Sequence, residues 1–159
     1  MGLETVDPHV LPRLNKRMTL EDFEQACAFL SRHDVDARAF ILLRTPFQTE
    51  QEGMYWARKS LDFAFSRDVG CCVVIPTRAG NGAMDWLQRR GDFAPPSLHS
   101  LEEVVEYGVG LGRGRVFADL WDLDKFYACR TCGPSRRDRL EQVNRTQHVS
   151  ARIACVCDT

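Results

Sequence analysis

The chain has 159 residues, 44% of them hydrophobic and 27% charged, with a formal net charge of -1. That suits one soluble domain with a real core and is too short for two. It excludes a disordered, collagenous or membrane-spanning chain, since the longest apolar runs, AFILL and CCVVIP, are far too short to cross a bilayer. The first residues carry no basic and apolar leader pattern, so a cytoplasmic location is expected.

In chain order, GLET runs into the Pro-punctuated loop VDPHVLPRLNKRM, and if GLET is itself the end of a strand the element order is β-α-β-α-β-α-α-β. Thr19 is placed to cap a helix over about 20–33, with Leu20, Phe23, Cys27 and Leu30 at helical spacing. ARAFILL (37–43) has strand length. Thr49 and Glu52 form a capping box that opens a helix to about Ser66, with Met54, Ala57, Leu61 and Ala64 as its buried stripe. CCVVIP (71–76) reads as a buried strand. A Gly-rich loop, TRAGNGAM, and a short helix follow, ending at the breaker APP (94–96). Ser100 and Glu103 make another capping box, for a helix toward Leu111, and RVFADLWDL (115–123) reads as a further strand. Alternating strands and helices predict an α/β fold with a largely parallel sheet over residues 1–123. Residues 124–159 then form a separate Cys- and Arg-rich tail.

The tail concentrates charge and thiols. Residues 125–152 hold Lys125 and six arginines against Asp138 and Glu141, a net +5 that leaves -6 on the remainder. A basic tail on an acidic body fits a nucleic-acid or other anionic partner, and equally a solvated helix around Arg139, Leu140, Val143 and Asn144 beyond the break at Gly133-Pro134. Seven cysteines without an export signal do not suggest a disulfide framework. Cys129, Cys132, Cys155 and Cys157 form a C-x2-C…C-x-C pattern. Thiolates at such spacing can turn onto one tetrahedral zinc, could ligate an iron–sulfur cluster, or could stay free. Cys27, Cys71 and Cys72 lie in apolar contexts expected to be core.

The segments GLET…LPRLNKRMT, AFILLRTPFQTEQE, VVIPTRAGNGAM and RVFADLWDL, in that order, resemble the C-terminal half of a radical SAM barrel. Within that superfamily the likeness is greatest to the branch near the Elongator catalytic subunit and the archaeosine synthase beta subunit. The resemblance implies half of a parallel β/α barrel with substrates at the C-terminal strand ends, and the cofactors S-adenosylmethionine and a 4Fe–4S cluster. It implies Glu4 on the ribose of S-adenosylmethionine and Ile75 and Pro76 beside its adenine. It also places Arg78, Asn81, Asp119 and Asp122 on the same rim as substrate contacts. The cluster-binding Cys-x3-Cys-x2-Cys loop occurs nowhere in the chain. The resemblance therefore implies that the first three β/α units are missing and that Met1 corresponds to an internal methionine. Two functions follow. One is a piece of a radical SAM enzyme, acting on RNA or another anionic substrate and inactive without its N-terminal half. The other is a non-catalytic, metal-stabilised module that binds a protein or nucleic acid. The expected partner is the missing half or further copies of the chain.

Overall fold

The computed structural model describes residues 1–156. Four parallel strands run β1 (Gly2–Glu4), β2 (Arg38–Leu43), β3 (Cys71–Pro76) and β4 (Arg115–Ala118), and their order across the sheet is their order in the chain. Five helices accompany them: α1 (Leu20–Arg32), α2 (Glu50–Phe65), α3 (Gly82–Arg89), α4 (Leu98–Gly110) and α5 (Gly133–Thr146). The α/β class and the parallel sheet are as the alternation of patterns predicts.

Side chains alternate across each strand, and here the two faces fare differently. Ala39, Ile41, Leu43, Cys72, Val74, Val116 and Ala118 are buried in one core with residues of α1, α2, α4 and α5. The other face carries Arg38, Phe40 and Leu42 of β2, Cys71, Val73 and Ile75 of β3, and Arg115 and Phe117 of β4, all exposed or half-buried.

Local signals set the helix starts. Thr19 and Thr49 both close reciprocal capping boxes, with Asp22 and Glu52. The stripe on α2 is deeper than predicted, because Ser60 and Phe65 are buried beside Ala57, Leu61 and Ala64. Gly53 lies where that helix crosses the end of β2, and a Cβ there would come within 2.8 Å of the Arg44 backbone.

Three expectations change. The α4 cap is Ser97, not Ser100: the Ser97 hydroxyl accepts the Ser100 N–H at 3.1 Å, immediately after Pro96. Glu103 is therefore free to reach Arg58 at 2.9 Å. The last strand stops at Ala118 instead of Leu123, because Asp119 folds back to accept the Trp121 N–H and Asp122 turns left-handed at φ 48°. Gly133-Pro134 opens α5 rather than breaking the chain; a proline in the first turn forfeits no helical hydrogen bond.

The tail is also less separate than its composition suggests. Leu140 and Val143 join the main core. The amides of Arg115 and Asp119 point to β3, bonding Gly70 and Val74 carbonyls, so those of Val116 and Ala118 point outward. The Asn144 amide takes both outward groups of Ala118, at 2.8 and 2.9 Å, and the Gln147 amide takes both of Val116, at 2.7 and 2.9 Å. Two carboxamide side chains thus satisfy the outer edge of β4 as a fifth strand would. Among the described residues no helix is long and apolar enough to cross a membrane.

Candidate metal centre and strand-end rim

Cys129 and Cys132 sit on the turn that enters α5. The Gly133 N–H bonds the Cys129 carbonyl at 3.0 Å and the Arg136 N–H bonds that of Cys132 at 2.9 Å, fixing the turn to the helix. Gly133 has to be glycine here, since a Cβ would lie 2.5 Å from the Tyr127 ring. Cys155 returns to the same place, and the three sulfurs lie within 4.8 Å of one another. The Cys129 and Cys155 sulfurs are 3.9 Å apart. Thiolates bound to one zinc at about 2.3 Å stand about 3.8 Å from each other, so this spacing suits a tetrahedral ion. The fourth cysteine predicted for the set, Cys157, lies outside the described residues.

The Cys129 thiol is prepared for a cation. Backbone N–H groups of Cys132 and Thr131 bring its pKa down to about 6 against desolvation, which raises it, and the Cys132 and Cys155 thiols add a lesser lowering. It is therefore largely thiolate at neutral pH, the form that binds metal. A cavity of about 150 Å³ walled by Leu98, Phe126 and Tyr127 borders Cys129 and Cys132.

Cys155 is held in reach by a charge cluster that the sequence reading did not find. Arg139, on α5, is buried and donates through Nε to the Ser150 and Ala151 carbonyls at 3.1 and 2.9 Å. Its other nitrogens meet Glu102 at 3.2 Å and Glu106 at 2.8 Å on α4. Arg136 reaches Glu102 at 3.4 Å, and Arg152 reaches Glu106 at 2.6 Å. Burial pushes the Glu102 carboxyl up, and the Arg136 and Arg139 charges pull against it without cancelling the effect. Three of the six tail arginines are thus engaged with α4. The available signal was the i, i+3 spacing of Arg136 and Arg139 and the run of acids in α4, but nothing local pairs them.

The second group of predicted residues lies at the C-terminal ends of the strands. Glu4 ends β1 with φ 64°, and one of its oxygens holds Lys16 at 2.5 Å. Ile75 lies on the open face of β3, whereas the Pro76 ring is buried on the opposite, helix-covered face. Arg78 and Asp119 come together at 2.8 Å across the loops after β3 and β4. Arg78 also donates to the Pro76 carbonyl at 3.2 Å and to the Trp121 carbonyl, and its guanidinium lies 5.2 Å from the Trp121 ring centroid. Asn81 caps α3, accepting the Met84 N–H at 3.0 Å, and Asp122 pairs with Lys125 at 2.7 Å. All four polar rim residues therefore hold the loops in shape, and Arg78 with Asp119 is the pair that the fold joins. Two features of this rim escaped the sequence reading. Trp121 stands 68% exposed beside Arg78. The hydroxyls of Thr45 and Thr77, just beyond β2 and β3, are buried and find no hydrogen-bond partner among the described residues.

No family model matches the chain, and no solved structure matches it either. It is similar to the uncharacterized protein MJ0550 of Methanocaldococcus jannaschii, at 24% identity over 178 residues. That likeness takes in 99% of this chain but 46% of the archaeal protein, so the chain spans about half the length of the curated relative it matches.

Proposed function

We propose that this chain is the C-terminal half of a radical SAM-type β/α barrel, with a structural metal site in its tail. The supporting observation is the sheet: four parallel strands in chain order, with helices on one face and an apolar layer left open on the other. A barrel wall has that construction, because its inner side chains pack against the rest of the wall. The archaeal relative, more than twice as long, is consistent with a larger parent protein.

In this reading S-adenosylmethionine lies across the ends of β1 and β3. The Glu4 oxygen not held by Lys16 accepts from the ribose hydroxyls, and Ile75 meets the adenine with Pro76 shaping the strand end behind it. Arg78, Asn81, Asp119 and Asp122 fix the rim that meets an RNA or other anionic substrate. S-adenosylmethionine supplies the sulfonium chemistry, and this chain contributes one wall. Its residues do not fit the 4Fe–4S cluster of the family, since no Cys-x3-Cys-x2-Cys occurs, and no step through a cluster is assigned to it. The convergence of Cys129, Cys132 and Cys155 favours a metal-stabilised fold under this function and under the alternative, a module binding nucleic acid or protein.

The test has two parts. Genomic sequence before codon 1 should encode Cys-x3-Cys-x2-Cys in frame or in a neighbouring gene. The chain alone, after treatment with iron, sulfide and dithionite, should form no 5′-deoxyadenosine, and the upstream half should restore it. Stop codons with no neighbouring half would favour the binding module. 5′-Deoxyadenosine from the chain alone, above a no-protein control, would overturn the assignment of the missing half.

A further inference from the structure

We infer that the open face of the sheet seats a different β/α segment, one carrying carboxylates opposite Arg38 and Arg115, and not a second copy of this chain. The inference rests on the half-barrel reading and adds to it the chemistry of the partner.

Strand register sorts the open face into rows. Arg38, Cys71 and Arg115 are successive register partners and form the row at the N-terminal ends of the strands. Phe40, Val73 and Phe117 form the next row, and Leu42 and Ile75 the one above. The upper rows are apolar, with Phe40 itself 37% exposed. Parallel sheets are otherwise covered on both faces, so these rows call for a cover.

The bottom row decides what kind. Arg38 and Arg115 are exposed, and among the described residues neither meets a carboxylate. The Arg115 guanidinium lies over the Phe117 ring, 4.7 Å from its centroid, and so borders the apolar rows. The two arginines flank Cys71 from adjacent strands, which separates them by about 10 Å. A cover that buries the apolar rows also takes these charges out of water. Burying a charge without a partner is strongly unfavourable, so a stable cover must bring anions to this level.

A second copy cannot do so. Placed as the other half of a barrel its strands run the same way, and its own Arg38 and Arg115 arrive at the same row. Like charges brought together in this way select against the wrong partner. The outer edge of β4 is also taken by Asn144 and Gln147, so a copy cannot extend the sheet there. What remains for pairing is the outer edge of β1. The share of the archaeal protein that this chain leaves uncovered is long enough for such a segment.

The experiment uses the full chain as its own probe, by sedimentation in about 50 mM and about 500 mM salt. The double variant R38E/R115E is a β/α half with an acidic bottom row. Mixed with wild type at low salt, it should associate at least about tenfold more tightly than either protein does with itself, and high salt should remove the difference. R38Q/R115Q, which keeps polar side chains and drops the charge, should self-associate more than wild type. Both positions are exposed, and far-UV circular dichroism checks that each variant is folded. If R38E/R115E is not folded, the single variant R38E, which faces Arg115 with an acid in a second copy, should self-associate more tightly than wild type. Wild type that self-associates at low salt as tightly as the mixture, or as R38Q/R115Q, would overturn the inference. Failure here leaves the half-barrel reading standing, since that falls on the upstream sequence and the 5′-deoxyadenosine assay.

Discussion

The Asn144 side chain gives Ala118 the two hydrogen bonds that a neighbouring strand would give it: its Oδ1 accepts the Ala118 N–H at 2.8 Å and its Nδ2 donates to the Ala118 carbonyl at 2.9 Å. The last strand is thereby closed to other strands by a helix. Asn144→Leu leaves a backbone N–H and carbonyl unpaired at a half-buried edge, which costs about 1–3 kcal/mol. Urea unfolding should show that loss, and light scattering should show increased association through the bared edge. A variant as stable and as monodisperse as the parent would mean that water replaces the amide at no cost.

Metal analysis of protein kept in reducing buffer should find about one ion per chain, zinc being the expected metal for a thiolate site of this spacing. Cys129→Ser and Cys155→Ser should each lower occupancy sharply, whereas Cys27→Ser, far from the site in the core, should not. Less than about a tenth of an equivalent in the parent protein would exclude the structural metal.

Arg139 joins α5, the 150–151 backbone and two glutamates of α4. Arg139→Met leaves Glu102 buried with one partner fewer and should cost about 3–5 kcal/mol. It should also expose Cys155 to alkylation in metal-free protein, because the carbonyls that hold its segment lose their donor. Removing the acid as well, in E102L/R139M, should recover much of the stability by eliminating the buried charge.

How much of this was legible in the sequence depends on distance along the chain. Thr19 and Thr49 announce their helices because cap and partner are three residues apart. Cys129 and Cys132 announce a ligand pair for the same reason. Ser100 misled because Ser97, three residues earlier and directly after Pro96, offers the same hydroxyl at a better backbone angle. The contacts of the tail were not legible because its partners are remote: Asn144 serves Ala118, 26 residues away, and Arg139 serves Glu102, 37 residues away. The seven cations of residues 125–152 are visible in the sequence, but nothing there pairs them with Glu102 and Glu106 on another helix. The open row of Arg38 and Arg115 was invisible until strand register aligned them.

Acid should loosen the contacts between α4 and its neighbours. Burial pushes Glu50 up, but the Ser100 hydroxyl, the N–H and hydroxyl of Ser97 and the Arg44 charge together hold it below the usual carboxylate range. Burial likewise pushes Glu106 up, and Arg152 and Arg139 outweigh it. For both groups the unfolded chain binds more protons, so their contribution is present in full above the unfolded value of about 4.3 and is lost as pH falls through the lower folded values. Glu102, shifted upward, acts in the opposite sense and blunts the effect. Urea midpoints should be level above about pH 5 and should fall below about pH 4, and E50Q and E106Q should each flatten that fall.

The chain-order arrangement of the strands has a consequence for how the protein is made. Each strand pairs with the one synthesised before it, so the sheet can grow one strand at a time as the chain emerges. The exception is its final edge, since Gln147 comes 31 residues after the Val116 it protects. At about 5–20 residues per second, that edge stays bare for about 2–6 s of synthesis. The interval in which the β4 edge of a nascent chain is open to misassembly on the ribosome therefore begins when β4 emerges and ends when Gln147 follows α5.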